Sequence, residues 1–261
     1  MARKNGDLIS GVLGPLVFRV INGVQYIKLK SAPGTMKQTV ETKRAAKTFG
    51  MGSSLGSKIR GTLKEQLLGL SNPGIKNRLS GRLAQILGSC RVTKSMRYHF
   101  DRDSFTGLDH FEFDARSTVA KLLGRPPVVV LTENKITVQL PQLYIPSQLK
   151  FPYNGFQCKV NVSVSLFRLR DGLYKADANT QTMVCNKNME KTDAHEFKFS
   201  VPNGCLCIVS LFLVYETAGG KGFKPINSKS FNPGCICKTF LTEGDYQAGD
   251  EIVWKEMKKF P

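Results

Sequence analysis

Two Cys-x-Cys pairs, Cys205/Cys207 and Cys235/Cys237, are the side chains of this sequence best suited to metal chemistry. On a strand, residues two apart point to the same face, so each pair would present two thiols together. If the two strands were neighbours, four sulfurs would converge as in a structural zinc site. Against this, structural zinc more often takes Cys-x2-Cys spacing on turns, and buried cysteine in a sheet is commonly a small hydrophobe. The core reading is therefore favoured, with zinc and then redox or disulfide chemistry as the alternatives, and no cofactor is expected. The seven cysteines are odd in number and read as reduced thiols.

The second chemical feature is a run of bases. Lys43, Arg44, Lys47, Lys58, Arg60, Lys64, Lys76, Arg78, Arg82, Arg91, Lys94 and Arg97 stand in one segment against only Glu41 and Glu65. Bases at this density can replace the counterions condensed on a phosphate backbone, giving salt-dependent binding. Phe49 is the one aromatic between Glu41 and Arg97, so base stacking is not expected and phosphate contact is. The rival reading is a solvated face that keeps the chain in solution.

Three other patterns fail in detail. Gly50-Met51-Gly52-Ser53-Ser54-Leu55-Gly56-Ser57-Lys58 is glycine-rich, but no register supplies the Gly-x4-Gly-Lys-Ser/Thr of a phosphate loop. Gly52 and Gly56 are better read as places of close approach to another helix or backbone. Asp101, Asp103 and Glu112 fall at positions one, three and twelve of a calcium loop, yet Phe105 takes position five and Gly107 comes one residue late. His99, His110 and His195 belong to no nucleophile or metalloprotease motif, and the expectation is a protein that is not an enzyme.

The elements that would carry these residues change along the chain. Pro15 to Lys30 reads as a β-hairpin turning at Asn22-Gly23. Beyond it, Leu55, Ile59, Leu63 and Leu67 recur at helical spacing, and Leu79, Leu83, Ile86 and Leu87 form a second stripe. Gly50, Gly52 and Gly56 each lower helix propensity by about 1 kcal/mol, which predicts a break there, and Ser71-Asn72-Pro73-Gly74 predicts a stop. Such thin stripes would need something larger to pack on.

From about Ser104 the pattern is that of strands: 128–131, 135–140, 157–169, 182–186, 196–201, 205–215, 235–241 and 251–255. Cys158, Val160, Val162, Val164 and Leu166 alternate with Lys159, Asn161, Ser163 and Ser165, which predicts one buried and one wet face. Residues 206–215 are apolar on both faces and belong at the centre of a sheet. The fold expected is α+β: an N-terminal β-hairpin and basic helical segment (1–100), then an antiparallel β-sandwich domain (101–261).

The balance of charge divides the chain in the same place. Residues 1–100 hold 18 bases and three acids, while the rest hold 20 bases and 17 acids, for a net charge of +18. This asymmetry points to a polyanion, DNA or RNA before others, as partner. No apolar run reaches the roughly 18 residues of a membrane span. The run 8–18 follows Arg3 and Lys4 as a secretory leader would, but Gly11, Gly14 and Pro15 interrupt it, so a cytoplasmic protein is expected.

The N-terminal part of the sequence carries Gly14-Pro15, Asn22-Gly23, Lys28 to Lys30, Lys37-Gln38-Thr39, Thr42, Ala45-Ala46, Phe49-Gly50 and Arg60. On these motifs the first sixty residues resemble a family of uncharacterised basic proteins found mainly in Bacteroidota. The resemblance implies a basic start and a β-rich end, and no activity. The function read from the residues is non-enzymatic binding of nucleic-acid backbone, with the sandwich as scaffold. The alternative is a structural subunit of a phage-like or cell-associated assembly, self-associating through basic segments or through a hairpin that adds to a neighbour's sheet.

Overall fold

The computed structural model describes residues 2–21, 23–32, 38–69, 73–92, 95, 97–220, 222–247 and 252–260. The chain divides into two compact units, Met1–Ala45 and Ala46–Pro261.

The first unit contains the expected hairpin within a larger sheet. Strands β1 (Arg3–Asn5), β2 (Leu8–Leu13), β3 (Leu16–Ile21) and β4 (Val24–Leu29) form an antiparallel meander in that order. Gly14 and Gly23 take positive φ at the β2–β3 and β3–β4 turns, a conformation open to glycine without penalty. Asn22, assigned to the second turn, lies outside the described residues. Helix α1 (Val40–Thr62) begins in this unit, where Thr39 Oγ1 accepts from the Thr42 N–H at 3.1 Å as an N-cap.

In the second unit α1 continues without the break that its glycines predicted. Helix α2 (Pro73–Ser89) crosses it so closely that a Cβ on Gly52 would lie 2.9 Å from the Ala84 backbone nitrogen, and one on Gly56 would lie 3.3 Å from Leu83. The glycines are the contact between helices, and that packing offsets their low propensity.

After the short helix α3 (Val119–Leu122) come β5 (Val128–Thr132), β6 (Lys135–Leu140), β7 (Gln157–Arg168), β8 (Leu173–Lys175), β9 (Asn179–Asn186), β10 (His195–Ser200), β11 (Leu206–Gly219), β12 (Gly222–Pro225), β13 (Gly234–Leu241) and β14 (Trp254–Glu256). Strands β7 and β11 pair antiparallel from Gln157/Glu216 to Phe167/Leu206 and form the spine of a seven-stranded sheet. A three-stranded sheet, β10-β6-β5, packs on one face to make the sandwich. Cys158, Val160, Val162, Leu211 and Leu213 meet Ile136, Val138, Phe197 and Phe199 in that core.

The other face is where the structure departs from the sequence reading. Phe167, Leu169, Leu206, Ile208 and Phe212 pack with Leu55, Ile59, Leu63, Leu79, Leu83 and Leu87 of the helices in a second core. The end of β7 nearer Phe167, expected to be wet on one side, is thus roofed, while Lys159 and Asn161 stay partly exposed. Ser163 and Ser165 are buried, and their hydroxyls bond to Thr180 Oγ1 and Thr62 Oγ1, both at 2.8 Å. The second unit is three layers, helices on sheet on sheet. Because helices and large sheet share a core, the compact units divide at Ala45/Ala46 rather than near residue 100. Among the described residues no helix is long and apolar enough to cross a membrane.

Candidate polyanion-binding surface

Helices α1 and α2 turn their leucines to the sheet, and their remaining faces carry the bases. Between Ala46 and Phe100 there are ten bases and one acid, Glu65, and α2 holds no acid. Lys47, Lys64, Lys76 and Arg82 are exposed, and no ion pair to them is found among the described residues. Lys43, in the first unit, is likewise exposed, and Arg44 is paired with Glu41.

Arg97 is exposed as well, whereas other bases are held or partly covered by the protein. Arg78 donates to the carbonyl oxygens of Glu112 at 2.9 Å and Phe113 at 2.8 Å, with its guanidinium 5.2 Å from the Phe111 ring centroid. Its planar fork fits two neighbouring carbonyls as well as it would fit a phosphate, and here it holds a loop to the helix. Lys58 Nζ lies 4.7 Å from the Tyr174 ring centroid. Arg60 is half-buried, its Nη1 shut from solvent without a bonding partner, and burial lowers its pKa. Arg91 is half-buried, and Lys94 lies outside the described residues. The basic surface is thus narrower than the sequence reading of it.

The cysteines do not converge. Cys207 pairs with Phe240 and Cys235 with Leu211, so the two motifs sit at different levels of the β11–β13 ladder. Phe240 is three residues beyond Cys237, about 10 Å along a strand, far more than a shared metal allows. The sulfurs lie in the sandwich core, where burial pushes Cys205 up to about 12 and Cys207 well above an ordinary thiol. Protonated thiols in an apolar layer are packing groups. The calcium-loop reading fails as well. Glu112 accepts from the backbone N–H groups of Val119 (2.9 Å) and Ala120 (3.2 Å) at the start of α3, and Asp101 faces His99 at 3.1 Å.

One feature had no sequence signal. A cavity of about 490 Å³ is lined by Phe100, Arg102, Arg168, Arg170, Thr242 and Tyr246, among others. Arg168 lies 3.8 Å from the Tyr246 ring centroid and 5.3 Å from that of Trp254, and its Nε donates to Asp171 at 2.7 Å. Three arginines and three acids, Asp171, Glu243 and Asp245, line it, so the cavity is balanced in charge and differs from the helix surface. Among the described residues no three His, Cys, Asp or Glu side chains gather as a metal site would require. No protein-family model, curated protein or solved structure matches this chain.

Proposed function

We propose that this protein binds the phosphate backbone of nucleic acid, without catalysis and in the cytoplasm, through the outer surface of α1, α2 and the loop that joins them. The observation that carries this reading is the exposure of Lys47, Lys64, Lys76 and Arg82 on a helical layer with one acid in 55 residues. A face kept only for solubility would mix both signs. Phe49 is exposed, but a lone aromatic offers no run of stacking platforms, so contact with phosphate rather than base is favoured.

The test is the affinity for random-sequence duplex DNA across a salt series. Each neutralised phosphate contributes about 0.9 to the slope of log K against log salt. Replacing the four exposed bases together by Gln should lower that slope by about 3 to 4, with equal weakening for unrelated sequences. An unchanged slope in that variant, or no binding at low salt, would reject the proposal. The alternative reading, a subunit of a larger assembly, draws its support from the N-terminal sheet.

A further inference from the structure

One end of the large sheet carries aromatic rings that neither core uses. Strands β7, β9, β11 and β12 lie side by side there, through the pairs Gln157/Asn186, Gln157/Glu216 and Glu216/Pro225. Beside that row, Phe156 and Phe223 stack with ring centroids 5.9 Å apart and planes 16° from parallel. They are nonetheless 37% and 48% exposed, and Tyr153, three residues before Phe156, is 95% exposed. A ring left almost wholly in water adds little to folding, so packing gives no reason for Tyr153.

The backbone beneath the rings is fixed. The Phe156 N–H donates to the Glu216 carbonyl and the Phe156 carbonyl accepts from the Lys187 N–H, both at 2.8 Å. The preceding turn closes where the Gly155 N–H donates to the Pro152 carbonyl at 3.0 Å, and Lys187 Nζ donates to the Tyr153 carbonyl at 3.3 Å. Phe223 is held on β12 opposite Ala218. Rings on ordered backbone cost little further entropy when a ligand settles on them.

Charge identifies the ligand. No acid occurs in residues 134–170 or 217–242, which supply the rings. Lys187 and Lys224 are exposed, and no ion pair to them is found among the described residues. In the connection after β9, Lys187 and Lys191 outnumber Glu190. Glu216 is buried, with its carboxylate bonded to Gln157 Nε2 and, at 2.7 Å, to Lys159 Nζ.

We propose that this end of the sheet binds single-stranded nucleic acid, with unpaired bases stacked on Tyr153, Phe156 and Phe223 and phosphates met by Lys187 and Lys224. Every base offers a π-face whatever its sequence, and a duplex hides those faces in its own stack. The three side chains expose on the order of 350 Å², well short of the roughly 800 Å² per partner of a specific protein interface. Bases need less area, since each stacks on one ring. This surface differs from that of α1 and α2, where phosphate contact needs no unpaired base, and does not rest on it.

The test first removes the helical bases. The full chain with Lys47, Lys64, Lys76 and Arg82 replaced by Gln is titrated with labelled oligothymidine of about 15 nucleotides and with a blunt duplex of the same length, at several salt concentrations. Fluorescence anisotropy should show the single strand bound at least ~10-fold more tightly. Tyr153→Leu should weaken that binding at least ~5-fold without changing its salt slope, whereas Tyr153→Phe should leave it within about twofold. Because Tyr153 is so exposed, neither substitution disturbs the fold. Lys187→Gln and Lys224→Gln together should lower the slope by about 1.4, at about 0.7 for each phosphate of a single strand. No oligothymidine binding at low salt would overturn the proposal, as would equal affinity for single strand and duplex. Equal behaviour of Tyr153→Leu and Tyr153→Phe would also overturn it. Retention on anionic vesicles in place of oligothymidine would overturn it in favour of a lipid surface. The helical surface is judged separately, by the duplex salt slope of the parent chain.

Discussion

A base counts toward binding only if its charge is free, and that is decided by neighbours distant in sequence. Arg78 and Arg82 look alike on α2, yet one is spent on the carbonyl oxygens of Glu112 and Phe113 and the other is exposed. The same loop holds Asp114, whose carboxylate is buried. That burial raises its pKa, but bonds from the Arg116 N–H, the Ser117 hydroxyl and the Arg116 side chain outweigh it and bring the pKa below the ordinary value. Ser117 Oγ in turn accepts from the Asn232 N–H at 3.0 Å, and Asn232 Nδ2 donates to the Leu67 carbonyl at 3.2 Å, so the carboxylate anchors a link from the helices to the sheet. A depressed acid stabilises the fold above its unfolded pKa of about 3.9, and that contribution is lost as pH falls through the folded value. Asp114→Asn should therefore lower stability at pH 7 and flatten the acid limb of a stability–pH curve below about pH 4. Equal acid limbs for variant and parent, measured by urea unfolding, would remove Asp114 from this role. Of the candidate site, the density of bases was legible in the sequence. Their engagement was not, nor was the Arg168 cluster, because Tyr246 and Trp254 approach Arg168 only through the fold.

At the scale of elements, the stripes were legible and the layers were not. Leu55, Ile59 and Leu63, like Leu79, Leu83 and Leu87, are at most 1% exposed, as their four-residue spacing predicted. Strands β8 and β12, three and four residues long, are too short to show a period. The serines of β7 read as wet because polarity in sequence does not distinguish water from hydroxyl partners in the fold, here Thr62 of the helical roof and Thr180 of the neighbouring strand. The glycines of α1 misled for a similar reason, since helix propensity ignores what lies across the helix. They supply a matched pair of substitutions. Gly52→Ala should gain about 1 kcal/mol of propensity and lose about 1–3 to the collision with the Ala84 backbone, for a net destabilisation. Gly50→Ala has nothing within 4 Å of the new methyl and should stabilise by up to about 1 kcal/mol. Denaturant midpoints that move the same way in both variants would contradict the helix crossing drawn here.

For the molecule as a whole, the proposed phosphate surface goes with the apolar cores. Among the described residues both cores are built from side chains between Met51 and Phe260. Residues 46–261 should consequently fold alone and cooperatively. What such a fragment loses on the helical side is the first turn and a half of α1 with its Thr39 cap, worth about 1 kcal/mol. For a domain of this size that corresponds to a fall in Tm of about 2–4 °C. The fragment keeps Lys47, Lys64, Lys76 and Arg82 and loses Lys43 and Arg44, so its salt slope for DNA should fall by no more than about 2. Calorimetry and a salt titration on this one fragment therefore test stability and binding together. A fragment that binds DNA no longer would move the phosphate contacts to the N-terminal sheet. A fragment without a cooperative transition would show that the cores between Met51 and Phe260 are not self-sufficient, and the division at Ala45 would then be one of contacts rather than of stability.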